Sequence, residues 1–121
     1  MNYAKTIIHR RENQLTIKIN DYAEFVDETT SDASKHHIAL IGRLDDLKSI
    51  ANIPRLLTAS VGMLAESGEF AEISKKIIFQ GKEFTEDERF HMKRELGDIL
   101  WYWVQGCKAL GFEPEDVMQE N

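Results

Sequence analysis

Two pairs of carboxylates stand out by residue type and spacing. Glu66 and Glu69 sit at i and i+3, and Glu95 and Asp98 repeat that interval. On a helix, residues three apart share a face. If the two segments are helices lying side by side and antiparallel, all four carboxylates converge on one volume. Close carboxylates in a partly dry site repel one another, and the remedies are protonation, cationic side chains or a metal. Oxygen-only ligands on rigid helices suit a hard cation, Mg²⁺ or alternatively Mn²⁺. Either pair alone is also a common feature of a solvated helix face. The surroundings argue against that here. Glu66 and Glu69 are set among Leu56, Leu57, Val61, Met63, Leu64, Phe70 and Ile73, and Glu95 and Asp98 among Leu96, Ile99, Leu100, Trp101 and Trp103.

Neighbouring residues extend the list. Glu72 continues the series but lies ~120° round the helix from Glu66, as a further ligand, a supporting group or the group that orients water. Lys75 and Lys76 either meet substrate phosphates or pair with Glu72, and Lys93 carries the same ambiguity. Glycines flank the carboxylates: Gly62, Gly68 and Gly97 each cost a helix roughly 1 kcal/mol relative to alanine. Close approach of a ligand or a close helix crossing would each account for them.

The elements that must position these groups are helices. Asn20-Asp21 predicts a cap for a short helix to about Glu28, broken at Thr29–Asp32. A second helix is expected over Ser34–Ile50, with Ile38, Ile41, Leu44 and Leu47 on one stripe. Asn52 and Pro54 mark the start of a third helix, which runs to about Phe79 and ends at Gly81. Thr85-Glu86-Asp87-Glu88 reads as a capping box for a fourth helix to about Leu110. That helix is apolar nearly all round after Asp98, so burial on more than one side is expected. A short helix follows from Pro114. Before all of these, Ile7-Ile8 and the alternating Leu15, Ile17 and Ile19 read as a β-hairpin or a loose arm over residues 1–19. The expectation is a single domain over 1–121, an all-α helical bundle with that short N-terminal hairpin. Its two long helices are joined by a short connection and are antiparallel.

The segments "LLTASVGMLAESGEFAEISKK" from Leu56 and "KRELGDILWY" from Lys93 resemble the MazG-like all-α nucleotide pyrophosphohydrolases. That family's signature is E-x-x-E, a variable spacer and E-x-x-D, with an L-W-Y-like run behind. "GFEPEDVMQEN" at the end of the chain is similar to the family's short closing helix. The resemblance implies cleavage of nucleoside triphosphates between the α- and β-phosphates, giving a monophosphate and pyrophosphate. It implies Mg²⁺ held by Glu66, Glu69, Glu95 and Asp98, with Glu69 or Glu72 taking a proton from water. It also implies a homodimer or a dimer of dimers. A base pocket is implied between the first helix and a partner subunit, with Tyr22, Phe25, Trp101 and Tyr102 as stacking candidates. Family members continue past the asparagine matched by Asn121 with a lysine and an arginine that touch phosphates. Asn121 is therefore expected at the substrate. Either the sequence is part of a longer chain, or phosphate binding relies on Lys75, Lys76 or Lys93.

Composition narrows the remaining classes. The 121 residues carry 15 Lys and Arg against 21 Asp and Glu, a net charge of −6. An acidic chain argues against a nucleic-acid binder working through a basic patch. The single cysteine, Cys107, excludes an internal disulfide, predicts a packed thiol and fits a reducing compartment. No apolar run reaches the length of a membrane span, so a cytoplasmic protein is expected. Two rivals remain. A di-iron carboxylate bundle wants Glu-x-x-His, whereas the i+3 partners here are carboxylates. A non-enzymatic helical interaction module would use its acidic residues only for solubility.

Overall fold

The computed structural model describes residues 18–121. Within them the chain is all-α. The helices are α1 (Ile19–Thr29), α2 (Asp32–Lys35), α3 (His37–Leu47), α4 (Ile53–Gln80), α5 (Glu86–Leu110) and α6 (Pro114–Glu120). The hairpin expected over residues 1–19 lies outside the described residues, except at its end, where Ile19 already opens α1. The chain divides into two compact units between Ile41 and Gly42.

In the first unit, α1 begins ahead of the expected Asn20-Asp21 cap. Lys18 is its N-cap and gives no side-chain hydrogen bond, while Asp21 falls in the first turn, where a negative charge suits the helix dipole. The helix expected over Ser34–Ile50 is split. His36 adopts an extended conformation (φ −122°, ψ 123°) between α2 and α3. The short α2 is tied back to α1 by Lys35, whose Nζ donates to the Asp27 carbonyl at 2.9 Å and lies 3.7 Å from the Asp27 carboxylate.

The second unit is built on α4 and α5. Asn52 caps α4 by accepting from the Arg55 N–H at 3.2 Å, and Pro54 occupies the first turn, where its missing N–H costs nothing. Gly81 closes α4 at φ 69°, ψ 18°, left-handed geometry that glycine adopts without a Cβ penalty. Residues 81–85 then return the chain to α5. Half of the expected capping box forms. Thr85 Oγ1 accepts from the Glu88 N–H at 3.4 Å, but the Glu88 carboxylate pairs with Lys82 at 2.6 Å. Gly111 ends α5 at φ 75°. The Phe112 N–H reaches back to the Cys107 carbonyl at 2.9 Å and the Gly111 N–H to Lys108 at 3.3 Å, the paired bonds of a Schellman ending.

The five-residue connection makes α4 and α5 antiparallel, and the contacts agree. The Asn52 N–H at the start of α4 donates to the Ala109 carbonyl at the end of α5, 2.9 Å away. Small residues set the crossing: Ala59, Cys107 and Ala109 are buried. A Cβ placed on Gly106 would touch Ala59 Cβ at 3.6 Å. Gly62 is buried, and a Cβ there would fall on the Tyr102 ring, 2.5 Å from its Cγ. Gly62 is thus the close-crossing glycine. Gly68 and Gly97 have nothing within 4 Å of a Cβ position. The expectation that α5 is buried on more than one side is not met among the described residues. Leu96, Leu100 and Trp101 are each more than half exposed, because α5 packs on α4 along one stripe only. Cys107 is a buried free thiol, 5% exposed.

Candidate functional site

The antiparallel register carries the carboxylates together. Stepping along α4 from Ala59 to Gly62 to Glu66 takes the partner on α5 from Gly106 to Tyr102 and on toward Glu95. Glu66, Glu69 and Glu95 each offer one carboxylate oxygen, and these three oxygens lie within 4.8 Å of one another. Glu66 and Glu95 are half-buried and Glu69 is exposed. Asp98 is exposed and stands outside that trio, one helical turn from Glu95.

The electrostatics follow from the crowding. The Glu66 carboxyl is raised above the ordinary carboxylate value, first by hydrogen bonding with Glu95, then by burial, then by the charges of Glu69, Glu95 and Asp98. Asp98 therefore bears on the site without joining its closest group. With the Glu66 and Glu95 carboxyls both ionised, Oε2 of Glu95 is buried and meets no hydrogen-bond donor, an unusual state for a polar atom in a folded chain. A cation held by the three carboxylates would relieve both conditions at once. The donor set is all oxygen, which fits Mg²⁺ or Mn²⁺. Among the described residues no histidine joins the trio, whereas a di-iron bundle uses histidine nitrogens beside its carboxylates.

Glu72 differs. Its carboxylate is held by Lys75 at 2.6 Å and Lys76 at 3.4 Å. Those contacts lower its pKa, the Lys75 hydrogen bond most, against a smaller upward push from burial. A cavity of about 370 Å³ opens beside the trio, lined by Glu69, Glu72 and Ile73 from α4 and by His91, Arg94 and Glu95 from α5. Arg94 and His91 were not among the candidates drawn from the sequence. Their signal was there: His91 lies four residues before Glu95, and Arg94 four before Asp98.

The other candidates are dispersed. Lys93 is exposed on α5 and is not among the residues lining that cavity. Tyr102 packs on Gly62 and meets Trp101 edge-on, with ring centroids 4.9 Å apart and planes at 86°. Trp101 is exposed and borders a shallow cavity with Gly97, Leu100 and Val104. Asn121 lines a separate apolar cavity of about 760 Å³ with Met63, Trp103, Cys107 and Val117. Tyr22 belongs to the first unit, where it is half exposed and stands 6.1 Å from Phe25 between ring centroids.

The family model described as MazG nucleotide pyrophosphohydrolase domain matches residues 56–121, more than half of the chain. The chain belongs to the MazG family. The MazG match contains both carboxylate pairs, the Gly62–Tyr102 crossing and the closing helix α6. The Gene 37 protein of Mycobacterium phage L5 is 33% identical over 72 residues, covering 58% of this chain and 62% of that protein. The chain thus spans less than two thirds of that relative's length. No solved structure matches. Among the described residues, no helix is long and apolar enough to cross a membrane.

Proposed function

We propose that this MazG chain hydrolyses (deoxy)nucleoside triphosphates between the α- and β-phosphates, with Mg²⁺ as cofactor, acting on the cytoplasmic nucleotide pool as a homodimer or dimer of dimers. One observation carries the reading: Glu66, Glu69 and Glu95 converge while Glu95 Oε2 is left buried with no hydrogen-bond donor. An acidic cluster used only for solubility has no reason to bury an unsatisfied carboxylate oxygen.

The cation would supply charge neutralisation and Lewis-acid polarisation of the phosphoryl group, with Glu66, Glu69 and Glu95 holding it and Asp98 one turn away as the fourth ligand. The oxygen of water bonds to the α-phosphorus, the bond from that phosphorus to the bridging oxygen breaks, and pyrophosphate leaves with the electron pair. Glu69 is the favoured acceptor for the water's proton: it is exposed to solvent and adjoins the cavity. Glu72 is the alternative, but its two lysine partners depress its basicity. In this reading Glu72 instead fixes Lys75 and Lys76 at the cavity rim. Lys76, Lys93, Tyr22, Trp101, Tyr102 and Asn121 remain proposed substrate contacts. Tyr102 has the weakest claim, since its ring is already occupied by Gly62.

The test is pyrophosphate release from the common ribo- and deoxyribonucleoside triphosphates, with Mg²⁺ and with EDTA, for wild type and Glu69→Gln. Metal-dependent release lost in Glu69→Gln supports the reading. Absence of release from every nucleotide in Mg²⁺ and in Mn²⁺ overturns it.

A further inference from the structure

The cavity beside the carboxylates is lined by two kinds of group. Glu69 and Glu95 belong to the converging trio. To these α5 adds His91 and Arg94, and α4 adds Glu72 and Ile73. The charge of Glu72 is already taken up by Lys75 and Lys76. Arg94 pairs with no carboxylate among the described residues. Its guanidinium presents donors in a planar fork that matches phosphate oxygens two at a time. Arg94, Asp98 and Trp101 follow at i, i+4 and i+7 along one edge of α5, so cation, carboxylate and exposed aromatic ring succeed one another at intervals of about one helical turn, roughly 5.4 Å.

A nucleoside triphosphate has the same order: a terminal polyanion, the phosphorus under attack, then the base. Resting on the pyrophosphohydrolase reading for the reaction itself, we propose that Arg94, assisted by His91, binds the β- and γ-phosphates that leave as pyrophosphate. The nucleotide then lies with its polyphosphate toward the connection at residues 81–85 and its base toward Trp101. The reverse orientation would set the terminal phosphates against Leu100, Trp101 and Val104, where the cation lining the cavity is Lys108, about 15 Å along the helix axis from Asp98, whereas Arg94 is about one turn away. Arg94 is thus a binding residue specific to one product: it touches the pyrophosphate half and not the nucleoside monophosphate half.

Titration calorimetry with the full chain in Mg²⁺ tests this, using inorganic pyrophosphate and each of the four deoxynucleoside monophosphates as separate probes. The proteins are wild type, Arg94→Gln and Arg94→Lys. Charge-assisted hydrogen bonds to phosphate are lost in Arg94→Gln, so pyrophosphate binding should weaken about tenfold or more. Monophosphate binding should stay within about twofold, and Arg94→Lys should recover part of the loss as a point charge without the fork. Arg94 is exposed, and an unchanged melting temperature without ligand shows that Arg94→Gln still folds. If Arg94→Gln weakens both probes alike, or neither, the assignment is overturned. A wild type that binds no pyrophosphate in Mg²⁺ overturns it as well. Triphosphate hydrolysis by the wild type is read separately. Hydrolysis with an unchanged pyrophosphate affinity in Arg94→Gln sinks only the Arg94 assignment. Arg94-dependent pyrophosphate binding in a chain that hydrolyses nothing keeps the assignment and removes the hydrolase reading.

Discussion

Gly62→Ala is the sharpest test of how the fold holds the site. Alanine in a helix interior normally gains about 1 kcal/mol over glycine. At Gly62 that gain is opposed, because the new methyl would overlap the Tyr102 ring close to its root, 2.5 Å from Cγ. The root of a ring cannot swing aside as the tip of a lysine can, so α4 and α5 must separate locally. Overpacking of this kind costs about 1–3 kcal/mol, and with the ring root involved the upper part of that range applies. The net expectation is a loss of about 1–2 kcal/mol, or a fall in Tm of roughly 3–10 °C for a chain of this size. Glu66 lies one turn further along the same helix, so the separation also pulls it from Glu95. The rise in Tm on adding Mg²⁺ should therefore shrink as well. Thermal denaturation with and without Mg²⁺ measures both effects. Gly68→Ala and Gly97→Ala are the controls: their Cβ positions are open, so each should gain up to about 1 kcal/mol. In a Tyr102→Ala background the cost of Gly62→Ala should vanish, since the overlapping ring is gone. A Gly62→Ala protein more stable than wild type, or a cost that persists without Tyr102, would refute the reasoning.

Other consequences concern charge and capping. Glu69→Gln should lower metal-dependent pyrophosphate release by about 100-fold or more while leaving the metal-free Tm at or above that of wild type, because one repelling charge is removed. Since the Glu66 carboxyl is raised in the folded state, its contribution to stability is full below the unfolded value and is lost as pH rises through the folded one. The metal-free Tm should then fall as pH climbs above the ordinary carboxylate range, and Mg²⁺ should restore it there, which fluorimetry across a pH series checks. Glu72 has the opposite sign: its depressed pKa gives stability that is present above the ordinary value and lost as pH falls through the folded one. Glu72→Gln should flatten that acid limb. Asn52→Ala removes the cap on α4 and should cost about 1 kcal/mol, whereas Asn52→Gly should cost only a few tenths.

The long helices were legible because each end carries a chemical mark: Asn52-Pro54 and Gly81 for α4, Thr85 and Gly111 for α5. The short elements were less so. Residues 32–47 form two helices because His36 turns extended, and nothing in its side chain forces that conformation. The pairing of Glu66 and Glu69 with Glu95 followed from i+3 spacing and a short connection. The position of Asp98 outside the trio did not, since it depends on the rotation of α5 about its own axis. That rotation is set where Tyr102 seats on Gly62, a fit of one ring to one missing methyl that periodicity does not encode. Arg94 and His91 were not drawn out as candidates for a related reason. Polar side chains beside a carboxylate motif read as an ordinary helix face until the partner helix supplies the opposite wall of a cavity.

The exposed apolar surface makes the last prediction. Leu57, Val61 and Leu64 follow at i, i+4 and i+7 on α4 and are all more than half exposed, as are Leu96, Leu100 and Trp101 on α5. Monomers seldom leave so continuous a stripe in water. Four-helix bundles close when two helical hairpins cover each other's stripes, and a second copy of this chain is the proposed partner. The open positions at Gly68 and Gly97 would let another backbone approach beside the carboxylates, so assembly and metal binding should be linked. Leu64→Glu and Leu100→Glu each place a charge on the stripe while leaving the α4–α5 crossing untouched. Sedimentation should show wild type as a dimer or tetramer at micromolar concentration and both variants as smaller species. Their Tm values should lose the dependence on protein concentration that an assembled wild type has. A wild type that sediments as a monomer, with a Tm independent of concentration, would break the link between the apolar stripe and self-association. The carboxylate site would then have to work from one chain alone.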